Sequence, residues 1–201
     1  MDISSDGRLL ACSNRDSGTV SVVDLASRQK LREVKVGLHP EGVSFLGDTH
    51  TVAVAVYGDD RVTFVEADTG RVIGSIDVFD EPYGVVSNQT GSRLYVTLDY
   101  PGQVVEIDTN TREVTRTFPA GSFARGIAIG EDAGRLFVTN YYTAQLLALD
   151  LETGEQADEW TGTSSDNLCR QVALHPRRDK AYLPHIRSRI TYPNYLNWWS
   201  A

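Results

Sequence analysis

From residue 9 onward the chain is written in short runs. Apolar residues alternate with other residues over four to seven positions, and clusters of Gly, Asp, Asn and Thr separate the runs. The runs VSVVD at 20–24, VTFVE at 62–66, VVEID at 104–108 and LLALD at 146–150 are rich in β-branched and large aliphatic residues. So are LLAC at 9–12, TVAV at 51–54, LYVT at 94–97, LFVT at 136–139 and AYLP at 181–184. Period-two alternation with this composition predicts β-strands, not helices. The turns between them, such as DAG at 132–134 and ETG at 152–154, hold residues that tight reversals favour.

The runs recur at a fixed interval. The acidic strand ends Asp24, Glu66, Asp108 and Asp150 are 42 residues apart, and so are the turn residues Ser27, Thr69, Thr111 and Thr153. A third register is Gly42, Gly84 and Gly126, with Gln171 following after 45 residues; each is followed by a branched apolar residue. Four strands fit each unit; in one they are GIAI at 126–129, LFVT at 136–139, QLLALDL at 145–151 and EQADEW at 155–160. A four-stranded antiparallel unit repeated at this interval predicts the blade of a β-propeller. One twisted sheet cannot bury both its faces alone, whereas stacking blades face to face covers them. A strand solenoid has shorter coils, of about 20–30 residues. The expected organisation is a single all-β propeller domain over 1–201. It comprises a partial blade at 1–36, full blades at 42–78, 84–120 and 126–162, a partial blade at 171–185 and an unassigned aromatic tail at 186–201. That is about 4.8 repeats, so an incomplete, open propeller is expected. A closed four-bladed ring would leave the strand at 181–184 surplus.

The run Leu136, Phe137, Val138, Thr139, Asn140, the run Leu94, Tyr95, Val96, Thr97, and the turns at 108–114 and 66–78 carry a resemblance. They resemble the YVTN-type β-propeller repeat over about residues 4–184, with Leu98 departing from the motif's asparagine. The resemblance implies a fold, a prokaryotic exported protein and seven blades. It does not imply one activity, since related propellers include lactonases and propeller subunits of quinone- and haem-dependent oxidoreductases.

Composition narrows the function classes. With 27 acidic against 19 basic residues the formal charge is −8, which argues against a nucleic-acid or anionic-membrane binder. No apolar run approaches the ~20 residues of a membrane span. The opening residues MDISSDGR have no signal-peptide character, and the chain starts within a structural unit. A periplasmic or extracellular location is therefore an expectation for a full-length protein, drawn from the resemblance. Cys12 and Cys169 offer no haem-attachment or zinc spacing and read as small buried hydrophobes. No nucleophile elbow, HExxH, phosphate loop, dinucleotide fingerprint or calcium loop is present, so neither a metal nor a cofactor is expected.

Chain order in a propeller places the loops before the inner strand and after the second strand on one rim. The residues before the inner strands are Glu41, Tyr83, Arg125 and Arg170; those ending or following second strands include Asn14, Tyr57, Tyr100, Asn140, Tyr141 and His185. Different groups at equivalent places suit a binding site on a repeated frame. The candidate ligand-binding set is Glu41, Tyr83, Arg125, Arg170, Asn140, Tyr141 and His185, with an anionic small molecule or a protein as partner and Glu41 as the internal carboxylate that could satisfy the arginines instead. Asp24, Asp108 and Asp150 read as turn acceptors for backbone N–H groups. The expected function is a non-enzymatic scaffold, with two alternatives: a redox accessory, from the segment AYLPHIRS at 181–188, and a lactonase-like hydrolase. Exposed end blades also predict self-association.

Overall fold

The computed structural model describes residues 1–187. Blade 1 is the antiparallel sheet β1 (Asp2–Ile3), β2 (Leu9–Asn14), β3 (Thr19–Asp24), β4 (Gln29–Lys35). Blade 2 is β5 (Pro40–Phe45), β6 (Thr51–Val56), β7 (Arg61–Glu66), β8 (Arg71–Asp77). Blade 3 is β9 (Pro82–Ser87), β10 (Arg93–Leu98), β11 (Gln103–Asp108), β12 (Glu113–Pro119), and blade 4 is β13 (Ala124–Gly130), β14 (Arg135–Asn140), β15 (Gln145–Asp150), β16 (Gln156–Thr161). Two short pairs follow: β17 (Asp166–Asn167) with β20 (Ile186–Arg187), and β18 (Ala173–Leu174) with β19 (Ala181–Tyr182). The sheets form an open arc, with no closed sheet among the described residues.

The stub β1 pairs with Leu10 and Ala11, so blade 1 has all four strands in miniature. Ile186 and Arg187, which the sequence leaves outside the blades, pair with Asn167 and Asp166. The remainder of the aromatic tail lies outside the described residues. The middle strands of blades 2 to 4 are largely buried on both faces, those of blade 1 fully buried on one face only, and the outer strands β4, β8, β12 and β16 are largely exposed. The core is accordingly three apolar layers, one in each seam. Leu9, Ala11, Val20 and Val22 of blade 1 meet Val52, Val54 and Val65 of blade 2. Phe64 and Val62 of blade 2 meet Leu94, Val96 and Ile107 of blade 3, and Val104 and Phe118 of blade 3 meet Leu136, Val138 and Leu149 of blade 4.

The recurrent glycine has a steric cause. A Cβ on Gly42 would lie 2.5 Å from the Tyr83 carbonyl oxygen, one on Gly126 would lie 2.6 Å from the Gln171 Cα, and one on Gly84 would collide with the Arg125 carbonyl. Inner strands converge so closely that no side chain fits there. The strands begin at Pro40, Pro82 and Ala124, two residues before these glycines, because each inner-strand pairing slips in register around the glycine. The recurrent hydroxyl has a matching cause. Thr97 Oγ1 accepts from Gly84 N at 2.7 Å and donates to the Arg125 carbonyl at 2.8 Å; Thr139 Oγ1 accepts from Gly126 N and donates to the Cys169 carbonyl. Ser13 Oγ donates to the Glu41 carbonyl in blade 1. In blades 1, 3 and 4 a second-strand hydroxyl thus reaches the backbone entering the next unit. Blade 2 has Ala55 at the same place; there the tie comes from Ser44 Oγ on β5, which accepts from Ser87 N on β9 at 3.1 Å.

The acidic strand ends serve their turns. Asp24 accepts from Ser27 N, Asp108 from Asn110 N and Thr111 N, and Asp150 from Glu152 N and Thr153 N. These bonds hold the Asp108 carboxyl, like those of Asp24 and Asp150, below the usual range.

Candidate functional site

Two residues of each blade meet at the channel rim, and the repeat places them in series. Arg15, Tyr57, Asp99 and Tyr141 follow successive second strands at intervals of 42 residues; Glu41, Tyr83 and Arg125 are not ahead of the inner strands, as the glycine register suggests, but the second residues of β5, β9 and β13, and Arg170 precedes β18. Each member of the first set touches the member of the second set on the next blade. Arg15 Nε donates to Glu41 Oε1 at 2.7 Å. The Tyr57 and Tyr83 rings meet edge to face at 6.2 Å. Arg125 pairs with Asp99 through Nε and Nη2, the shortest contact being 2.7 Å. Arg170 Nη2 donates to the Tyr141 hydroxyl at 3.2 Å.

Arg125 is the most enclosed of the three rim arginines. Its guanidinium lies 3.8 Å from the Tyr141 ring centroid and 4.7 Å from that of Tyr83, while Asp99, at 3% exposure, holds its edge. A guanidinium between two ring faces and a buried carboxylate has its hydrogen-bonding and cation–π capacity taken up. Burial raises the Tyr83 phenol, with Glu41 adding to the effect, and burial likewise raises Tyr57 with help from Glu81. Both hydroxyls therefore stay protonated at neutral pH and act as neutral donors. Arg170 differs. It is exposed, its guanidinium lies 5.3 Å from the Tyr141 ring, and it makes no ion pair with a carboxylate among the described residues.

These groups stand at the edge of a cavity of about 870 Å³ on the concave side of the arc. Its walls are the inner strands, including Gly42, Gly84, Gly126 and Gln171, and Glu41, Tyr83, Arg125 and Arg170 all line it. The lining holds cation, carboxylate and phenol but no nucleophile with an adjacent base. Among the described residues no group of three or more His, Cys, Asp or Glu side chains is placed to hold a metal ion.

The remaining candidates sit elsewhere or serve the frame. Asn140 is 3% exposed and its Nδ2 donates to the Ala120 and Ser122 carbonyls, fixing the loop that leads into β13. His185 Nε2 lies 3.4 Å from Asp166 Oδ1, beside Arg187, and its Nδ1 contacts the Leu183 carbonyl. Glu41 pairs with Arg15, so the carboxylate that satisfies Arg125 is Asp99, which the sequence reading passes over. The 42-residue spacing from Tyr57 to Tyr141 runs through Asp99 and is the signal that finds it.

No family model matches the chain, and no curated protein matches it. Solved structures do. Kuenenia stuttgartiensis hydrazine synthase is similar over 96% of this chain and 56% of its own, with TM-score 0.88 and 22% identity. A chain of the mitotic checkpoint complex is similar over 91% of this chain and 56% of its own, with TM-score 0.75 and 15% identity. The β-propeller domain of Myceliophteria thermophila Cps50 (Swd1) is similar over 86% of this chain and 57% of its own, with TM-score 0.67 and 16% identity. The chain spans little more than half the length of each. At these identities the likeness establishes the fold: this chain is built as a β-propeller whose described blades form an open arc.

Proposed function

We propose that the chain is a non-enzymatic binding scaffold of the YVTN-repeat type, and that its rim takes a small carboxylate- or phosphate-bearing ligand on Arg170. One observation carries the ligand reading. Two of the four rim pairs are ion pairs and one is a ring contact, each complete in itself, while among the described residues Arg170 meets only the Tyr141 ring and hydroxyl and no carboxylate. An exposed guanidinium at the edge of a cavity offers a fork of donors matched to carboxylate or phosphate. The Arg125 pair is frame, not receptor, because Asp99 and two rings already occupy it. The seam hydroxyls Thr97 and Thr139 support the repeat type, since they give the motif's threonine a structural role.

The redox-accessory alternative has the hydrazine synthase likeness behind it, which at 22% identity speaks to fold alone. The test is calorimetric titration with citrate and with inorganic phosphate, alongside thermal melts. Arg170→Ala should abolish heat of binding and leave Tm unchanged. Arg125→Ala should lower Tm whether or not anion is present. Binding that survives Arg170→Ala, or a wild-type chain that binds neither anion, defeats the ligand assignment.

A further inference from the structure

Four loops of the rim share one backbone requirement. His39, Glu81 and Phe123 stand 42 residues apart, with Leu168 following after 45, and their φ angles are 51°, 45°, 58° and 57°. The carbonyls of the first three accept from Tyr57 N, Asp99 N and Tyr141 N at 3.1, 2.9 and 3.0 Å, which closes each loop onto the exit of the second strand. The frame thus sets a left-handed residue at each place, and glycine would adopt it without strain. None of the four is glycine, and Phe123 is a bulky ring that stays 42% exposed, so burial in the core does not account for it.

The ring has a local use. Phe123 meets Tyr142 edge to face, with centroids 4.7 Å apart and planes at 89°, and Tyr142 meets Tyr141 at 4.8 Å. The Arg170 guanidinium lies 5.3 Å from the Tyr141 ring and donates to its hydroxyl. Tyr141 is 7% exposed, whereas Tyr142 is 54% exposed. Two open, crossed rings therefore stand one ring away from an exposed cation that pairs with no carboxylate among the described residues. Crossed rings offer a face and an edge side by side, and a further ring packs favourably on either.

Resting on the reading of Arg170 as an anion site, we propose that the ligand is an aromatic acid. Its carboxylate or phosphate binds Arg170 and its ring packs on Tyr142. Phe123 is a positioning residue: it braces Tyr142 from the side, and its left-handed backbone is kept for that contact. An aliphatic acid of equal charge reaches the same guanidinium but has neither ring face nor ring edge to set against Tyr142.

The test is calorimetric titration with phenyl phosphate against cyclohexyl phosphate, and with benzoate against cyclohexanecarboxylate, inorganic phosphate serving as the ring-free reference. The wild type should prefer the aromatic member of at least one pair by about tenfold. The pair that shows the preference tells a phosphate ligand from a carboxylate one. Tyr142→Ala should remove the preference and leave inorganic phosphate binding unchanged. Phe123→Gly should remove it too without lowering Tm, because relief of the left-handed backbone offsets the lost ring contact. No preference in either pair overturns the proposal. So does a preference that survives Tyr142→Ala, or a Phe123→Gly chain that melts well below the wild type with its preference intact. Phosphate binding that survives Arg170→Ala defeats the anion site and this inference together. Phosphate held by Arg170 with no preference for a ring defeats this inference alone.

Discussion

Glu106 is a buried charge in the middle of an apolar layer. It is 1% exposed on β11, at the place where blade 2 has Phe64 and blade 4 has Ala148. It is tolerated because Arg93, Arg116 at 2.7 Å and Thr115 at 2.7 Å converge on it. Burial pushes its carboxyl up, and the Arg116 and Thr115 hydrogen bonds outweigh that to leave it below the usual range. Burial, with Glu106 beside it, pushes the neighbouring Tyr95 phenol up to about 12. Arg116 also donates to the Leu151 and Glu152 carbonyls, so the charge cluster fastens blade 3 to the turn of blade 4. Glu106→Ala should therefore destabilise the chain by about 1–3 kcal/mol, the arginines being partly solvated and less costly to strand than buried ones. Denaturant melts at neutral pH check this, and a loss under 0.5 kcal/mol would show that water alone satisfies the arginines. Nothing in the chain's alternation announces Glu106, which reads as one polar residue in a strand. The rim residues Tyr83, Arg125 and Arg170 were legible because the repeat fixes where they lie. Their pairing was not, since a 42-residue period names equivalent places without naming which side chain reaches across a seam.

Among the elements, the inner strand is the most constrained. The glycine and the seam hydroxyl are two answers to one demand, that adjacent inner strands approach nearly backbone to backbone. Gly84→Ala should cost about 2 kcal/mol or more, because its Cβ meets the Arg125 backbone carbonyl, which cannot swing aside as a side chain could. The complementary change is Ala55→Ser. It supplies the one hydroxyl missing from the series Ser13, Thr97, Thr139, within reach of the Tyr83 carbonyl by analogy with its neighbours, and should add about 0.5–1 kcal/mol. Equilibrium unfolding of the two variants against wild type decides both; a destabilised Ala55→Ser would mean that blade 2 is packed too tightly for one more oxygen. The inner strands begin two residues before the glycine register and Ile186 and Arg187 pair outside the expected units, whereas the four-stranded antiparallel units and their strand order could be read from the periodicity. The register slips at Gly42, Gly84 and Gly126 could not, because a bulge depends on how close the neighbouring blade lies, which local sequence does not encode.

For the whole arc, stability is a sum over seams, and one seam is pH-sensitive. His50 of blade 2 stands between Asp68 at 2.8 Å and Asp6 of blade 1 at 3.2 Å. The Asp68 hydrogen bond, helped by Asp6, raises its pKa above the ordinary 6.5. The Ser4 hydroxyl and the Arg8 backbone, with His50 assisting, lower Asp6 to about 2 from 3.8. A raised histidine stabilises fully below its unfolded value and loses that contribution as pH climbs through its folded one. A lowered carboxyl stabilises above its unfolded value and loses the effect as pH falls through its folded one. The blade 1–2 seam should thus be firmest between about pH 4 and 6.5 and loosen above neutrality. Tm measured from pH 5 to 8.5 should fall through that upper range in the wild type, and the fall should be absent in His50→Gln; identical profiles would refute the assignment. The absent hydroxyl at Ala55 has a mechanical reading as well. Seam 2–3 lacks the hydroxyl tie at its rim end and is pinned farther along instead, by Ser87 N on β9 donating to Ser44 Oγ on β5 at 3.1 Å. Arg15 and Glu41 ride on one side of it, and Arg125, Tyr141 and Arg170 on the other. The joint is thus fastened away from the channel mouth, and only the Tyr57–Tyr83 ring contact meets across it at the rim, so what holds the two halves of the arc together and what gives its edge charge are different residues.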